Sequence, residues 1–198
     1  MSDNMPLIVG IGGALRSGST SETALRLSLQ AIEQLGARTT LFAGAQLDIP
    51  HYSPHLKHRS PSASAIIEAL RRADAVIISS PGYHGSVSGL IKNALDYVED
   101  MRADSEPYLD GRAVGCIVSA AGGQAAATTL SALRDIVHAL RGWPTPLGIS
   151  LNSSGPLFNE FGRCISETVG TQFNILADHV VGFARYRQSQ KSTCRLAS

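Results

Sequence analysis

The residues of this chain best suited to holding a charged ligand lie in one short stretch, GGALRSGSTSE at residues 12–22. Arg16 carries a planar, permanently charged guanidinium that matches phosphate oxygens two at a time. Ser17, Ser19, Thr20 and Ser21 surround it with short hydroxyls. The stretch follows an apolar run at 6–11 and precedes a segment of helical character at 22–35. Where a strand turns into a helix, the first N–H groups of the helix have no partner within it, and the helix dipole favours an anion there. A capped strand-to-helix turn without any ligand reads the same way in isolation, so the neighbouring loops must decide.

Two other stretches have suitable chemistry. PGYHGSVSG at 81–89 places Tyr83, an aromatic face, and His84, a polar edge, between Gly82 and Gly85. SAAGGQ at 119–124 offers Gly122 and Gly123, which let a backbone approach a ligand closely. The remaining reactive types are read more plainly. His51, His55 and His58 lie in a proline-bearing loop at a spacing that fits no helix-borne zinc motif, so they are read as solvated and no metal is expected. Cys116, Cys164 and Cys194 are odd in number and lack CxxC spacing, which points to reduced thiols. Ser80 and Ser86 lack the GxSxG context of a nucleophile elbow.

These residues need a scaffold, and the composition supplies one. The chain has 198 residues, 43% of them hydrophobic and 17% charged, with a formal net charge of +1. That suits a single domain with a substantial core, expected over residues 1–187, followed by a disordered polar tail at 188–198. No basic run marks a nucleic-acid footprint. No apolar segment reaches the roughly 18 residues of a membrane span. The N-terminal MSDNMPLIVG lacks the pattern of a secretory signal, which leads to a cytoplasmic expectation.

Short apolar runs alternate with segments of helical period, the pattern of βαβ units and a parallel sheet. Strands are expected at 7–11, 38–42 (an edge strand), 75–80, 113–119 and about 147–150. Helices are expected after each. The first has Leu25, Leu29 and Ile32 on one face; the second is capped by Ser62 or Ser64 and carries Ile66, Ile67 and Leu70; the third carries Ile91, Leu95 and Val98; the fourth runs from Ala126 to Leu140. The last keeps Phe161, Ile165, Phe173, Leu176, Val180 and Phe183 in helical register. Residues 47–61 are expected to form a loop. The result is a three-layer α/β domain with five parallel strands in the order 2-1-3-4-5 and helices on both faces. Its topological switch point lies between strands 1 and 3, and ligands bind there beyond the carboxyl ends of the strands. The three loops above all open at that crevice.

The crevice suits a mononucleotide. GIGGAL lacks the GxGxxG spacing of a dinucleotide fingerprint, and the P-loop pattern is absent. GGALRSGSTSETAL, followed by SPGYHGSVSGLIKNALDY, resembles the NADPH-dependent FMN reductases of the flavodoxin-like superfamily. That family has a glycine-serine-x-arginine-x-x-serine loop. It also has a proline-x-tyrosine-(asparagine or histidine)-glycine-serine loop running into a leucine-lysine-asparagine-alanine-x-aspartate helix. The resemblance spans roughly residues 7–185. It implies that Arg16, Ser19 and Ser21 hold the FMN phosphate, with Thr20 beside them. Pro81, Gly82, Tyr83, His84 and Gly85 would line the flavin ring, and Ala121, Gly122 and Gly123 would close its other side. The chain departs from the family at Ala14, which stands where a phosphate-binding serine is frequent, and at Ser21, which replaces a frequent asparagine.

The resemblance also implies hydride transfer from NADPH or NADH to flavin N5 and onward to free flavin or another small acceptor. A flavin-dependent monooxygenase that receives reduced flavin is a partner the resemblance suggests, and with it the length of the apolar last helix points to a homodimer or homotetramer. No side chain is required as acid or base for hydride transfer; His84 is the candidate for proton supply. A cofactor 2′-phosphate would need a basic partner, for which Arg102, Arg112 and His51 are candidates. Three other readings stay open: a quinone, azo, nitro or metal-oxyanion reductase on the same fold, an electron carrier with no nicotinamide site, and a flavin-free interaction module.

Overall fold

A computed structural model of the chain describes residues 5–56 and 58–196, with the side chains of the last helix described as far as Lys191. Residues 1–4, part of the stretch read for a signal, lie outside the described residues, as do the Cys194 side chain and residues 197–198 of the expected tail. In chain order the elements are β1 (Leu7–Gly12), α1 (Thr20–Gln34), β2 (Arg38–Ala43), α2 (Pro61–Arg72), β3 (Ala75–Tyr83), β4 (Ser86–Val87), α3 (Gly89–Asp96), β5 (Ala113–Ala120), α4 (Gly123–Ala139), β6 (Trp143–Pro144), β7 (Ile149–Asn152) and α5 (Glu167–Leu196).

The sheet runs β2-β1-β3-β5-β6, with β7 also on β5 and β4 folded back on β3. All ladders are parallel except the β3–β4 pair. The apolar strands bury both faces, as a central parallel strand must. Ile8 and Ile77 face α1 and α5, packing with Leu25, Ile32, Leu176 and Val180. Their neighbours Val9 and Ile78 face the other way, among Ile66, Ile91, Leu133 and Val137 of α2, α3 and α4.

The expected order 2-1-3-4-5 thus holds, with the fifth strand in two pieces. β6 pairs with Ala113 and Val114, and β7 with residues 117–120 of β5. Pro144 and Pro146 have no N–H to give the ladder, so it lapses between the pieces. Three other expectations are corrected. Ser60, rather than Ser62 or Ser64, caps α2, accepting the Ala63 N–H at 3.3 Å, and Pro61 takes the first helical position, where its missing N–H costs nothing. Phe161 and Ile165 are not part of the last helix. The Asn159 carboxamide accepts the N–H groups of Phe161 and Arg163, Gly162 has φ +73°, and Phe158 pairs with Cys164, so this segment closes as a turn. The third correction concerns residues 188–196, expected as disordered tail, which continue α5. No helix among the described residues is long and apolar enough to cross a membrane.

Candidate functional site

The first loop begins where β1 and β3 come closest. A Cβ on Gly12 would lie 2.5 Å from the Ser79 carbonyl oxygen, and the Gly13 N–H donates to that same oxygen at 3.2 Å. Only glycine fits both demands, the second because Gly13 has φ +103°. Ser19 caps α1 by accepting the Glu22 N–H at 3.3 Å, and its hydroxyl lies 3.4 Å from that of Ser21. Ser79 Oγ donates to the Ser21 carbonyl at 2.8 Å, pinning the helix start to β3. The Ser19 and Ser21 side chains are therefore buried and occupied locally. Thr20 is half-buried as the first helical residue. The N–H groups of Arg16, Ser17, Thr20 and Ser21 have no partner among the described residues, and neither does the exposed Arg16 guanidinium.

The second loop is a hairpin. β3 runs past the sheet to Tyr83 and returns as β4, pairing Gly82 with Val87 and Tyr83 with Ser86. His84 (φ +51°) and Gly85 (φ +82°) form the two-residue turn, both left-handed as a tight hairpin requires. Ser80 anchors the base, accepting the Ser88 N–H at 3.0 Å and donating to the Pro81 carbonyl at 2.8 Å; Ser88 in turn caps α3. This leaves Tyr83, 57% exposed, and His84 at the tip. Beneath the hairpin lies α4. A Cβ on Gly82 would fall 2.5 Å from Thr129 Oγ1, a buried hydroxyl with no hydrogen-bond partner among the described residues.

The third loop, residues 121–123, opens α4. Gly122 has φ +108° and caps the helix without a side chain. Its N–H donates to Asn152 Oδ1 at 2.9 Å, and that oxygen also accepts the Ser154 N–H at 3.1 Å. Asn152, at the end of β7, thus fixes the loop.

A cavity of about 360 Å³ joins the first two loops, lined among others by Ala14, Leu15, Arg16, Pro81, Tyr83 and Leu90. Leu15, Gly89 and Leu90 also line a wider cleft of about 640 Å³ that reaches Asp48, Pro50, His51 and Asn93. Of the expected site residues, Arg16, Pro81 and Tyr83 meet at the first cavity; Ser19, Thr20 and Ser21 follow Arg16 at the start of α1 and do not line it; Ala121, Gly122 and Gly123 stand one strand further, beyond β3. The cleft wall is stiffly held. Asn93 accepts the Tyr52 N–H at 2.8 Å and donates to the carbonyls of Ile49 and Pro50, Tyr97 Oη donates to Pro50, and Arg59 grips Asp100 with two bonds of 2.7 Å. That carboxylate raises the Arg59 pKa above its ordinary value.

Sequence reasoning missed Asn93, Asn152 and Thr129. Asn93 stands inside the leucine-lysine-asparagine motif, which was the signal for it; Asn152 ends a strand in a loop of small residues; Thr129 carries no signal. Of the basic candidates for a 2′-phosphate, Arg112 is excluded, being 2% exposed and bonded to four carbonyls. Arg102 pairs with Glu99 at 3.5 Å, away from these cavities, whereas His51 lines the cleft. His55 and His58 are exposed outside it. Burial pushes the Cys116 thiol up to about 12, which makes it an unreactive core residue.

Comparison with known proteins gives these loops a context. A model of the family described as NADPH-dependent FMN reductase matches residues 6–155. An FMN-dependent NADPH-azoreductase of Staphylococcus aureus is 33% identical over 140 residues, 70% of this chain and 71% of that protein. Among solved structures, the flavoenzyme NAD(P)H:(acceptor) oxidoreductase of Paracoccus denitrificans matches with a TM-score of 0.73 at 20% identity, covering 92% of this chain and 99% of the other. A WrbA-like flavodoxin of Agrobacterium tumefaciens matches with a TM-score of 0.63 at 20% identity, over 92% and 99% of the two chains. The fold is flavodoxin-like.

Proposed function

The chain belongs to the NADPH-dependent FMN reductase family and is an oxidoreductase that works with FMN and NADPH, and on that premise we propose that FMN lies across the three loops and that its electrons pass to free flavin or another small acceptor. The observation that carries this placement is the convergence of unpartnered donors and glycine backbone at the ends of β1, β3 and β5. The site fits the cofactor: the unpaired Arg16 and the N–H groups of Ser17, Thr20 and Ser21 suit a phosphate, and Gly122 and Gly123 leave space that no Cβ fills.

Bound FMN supplies the two-electron chemistry between NADPH and the acceptor. The protein's contribution is placement. Arg16 holds the phosphate end in a charge-assisted contact. The hairpin offers the face of Tyr83 as one wall, and Ser80 and Thr129 set its height against α4. Asn152 holds Gly122 so that the start of α4, which no side chain caps, would offer its N–H groups, the positive end of a helix dipole, to a bound flavin and stabilise added electron density there. His84 sits at the turn as a positioning residue, and no side chain is assigned as acid or base.

The cleft at Asp48 to His51 is the place for an acceptor or the nicotinamide cofactor, since it adjoins the first cavity through Leu15 and Leu90. The azoreductase relative favours an aromatic azo compound as one acceptor. The free thiols Cys116 and Cys164 suit a reducing compartment such as the cytoplasm. Phe161, Ile165 and Tyr186, all more than half exposed, support a homo-oligomer, which size-exclusion chromatography would reveal. The deciding experiment is an absorbance spectrum of the purified chain mixed with FMN, then NADPH oxidation with and without FMN and with an azo dye. The expected result is flavin binding and FMN-dependent oxidation; neither binding nor oxidation would overturn the reading.

A further inference from the structure

Glu22 is an acid placed where the fold otherwise favours an anion from outside. It lies in the first turn of α1 with its side chain 6% exposed. It sits beneath Gly13, where a Cβ would come within 3.1 Å of its own Cβ. Both carboxylate oxygens are in use. Oε2 accepts the Gly18 N–H at 3.1 Å; Oε1 accepts Arg26 Nε at 2.9 Å and meets Arg26 Nη2 at 2.7 Å. One donor of the loop therefore serves a carboxylate of the protein, while the neighbouring N–H groups and Arg16 have no partner among the described residues.

We propose that Glu22 sets how firmly the first loop holds a flavin phosphate, as a built-in rival for the loop whose charge keeps bound FMN exchangeable. The proposal rests on the reading of residues 16–21 as the phosphate cradle. Two anions at one turn repel, and Arg26, about half exposed, offsets this only in part because water screens it. The same carboxylate holds Gly18 when no phosphate is present, so the loop keeps its shape as flavin arrives and leaves. The ligand class this favours is a phosphate-bearing flavin that passes through as a substrate. Riboflavin, which has no phosphate, is indifferent to Glu22.

The test is to titrate wild type, Glu22→Gln and Arg26→Ala with FMN and with riboflavin, following flavin fluorescence. Glutamine keeps an acceptor for the Gly18 N–H but has no charge, so FMN should bind on the order of tenfold tighter while riboflavin is unchanged. Arg26→Ala removes an exposed cation and leaves the acid uncompensated, so FMN should bind about threefold weaker, again with riboflavin unchanged. This second variant does not disturb the core and decides the matter if Glu22→Gln fails to fold. An FMN-to-riboflavin ratio that moves in neither variant overturns the proposal and leaves the cradle intact. A wild-type chain that shows no preference for FMN over riboflavin overturns the cradle, and the proposal with it.

Discussion

At the rim where the strands begin, Arg112, Arg187, Lys191, Asp74 and Glu106 neutralise one another; at the rim where they end, Arg16 and four loop N–H groups have no partner among the described residues. Arg112 donates to the carbonyls of Ala73, Tyr108, Asp110 and Arg71 at 3.0 to 3.3 Å. Glu106 pairs with Arg187, with Lys191 at 2.5 Å and with Arg112 at 3.6 Å. Asp74 accepts the Leu7 N–H at 2.9 Å and Gln188 Nε2 at 2.8 Å. Polar groups that satisfy each other hold elements together; exposed polar groups without protein partners are held by water, which a ligand can displace. The same sheet thus separates a structural end from a binding end.

The largest effect that would sharpen this contrast is Arg112→Met. Four carbonyls and Glu106 lose their donor in a buried setting, and stability should fall by on the order of 3 to 5 kcal/mol, read from urea midpoints at constant m-value. FMN affinity of the folded fraction should not change. The converse is Arg16→Ala, which should weaken FMN binding by roughly 1.5 to 3 kcal/mol in a flavin titration and leave the urea midpoint where it was. An Arg16 variant with unchanged affinity would place the phosphate elsewhere; one with a lowered midpoint would break the division between the two ends.

The sequence carried more of one end than of the other. The binding end was legible because its signals are local: the glycines at 13 and 122 and the serine cap each mark a turn or a helix start by residue type alone, even though Gly13 meets Ser79 and Gly122 meets Asn152 from far along the chain. The apolar strands were equally plain, since Ile8 and Val9 need opposite faces covered. The structural end was not legible, because Arg112 is buried by partners that include the carbonyls of Arg71 and Ala73 some 39 to 41 residues away, and its nearer bonds to Tyr108 and Asp110 go to main-chain oxygens that carry no sequence signal. From the sequence alone it read as a ligand for a phosphate. The polar stretch after Arg187 differs from its expectation for the same reason, since Gln188 and Lys191 bond to Asp74 and Glu106, in segments far away along the chain. Phe161 and Ile165 failed differently: their spacing matched a helix, but Asn159 and Gly162 impose a turn that outweighs periodicity.

A smaller effect probes how the third loop is held. Asn152→Ala removes the acceptor of the Gly122 N–H, a bond contributing about 1 kcal/mol. If that loop belongs to the binding end, the loss should appear as several-fold weaker FMN binding and lower NADPH oxidation. If it belongs to the structural end, only the urea midpoint should fall.

The smallest expected effect tests the structural end by pH. Burial pushes the Glu106 carboxyl up, but its hydrogen bond to Lys191 and the charges of Arg187, Lys191 and Arg112 outweigh this and hold it below the ordinary range. A carboxyl whose pKa is lower in the folded chain favours folding while it is ionised. Its contribution is complete above the unfolded value of about 4.3 and disappears as pH falls through the lower, folded value. Urea midpoints of wild type and Glu106→Gln should therefore differ by a constant amount near about pH 6 and converge on acidification below about pH 4. Because Glu106 is partly exposed, high salt should shrink the difference. Parallel curves that never converge would mean that Glu106 acts through packing rather than charge, and the two ends of the sheet would then differ less than their ion pairs imply.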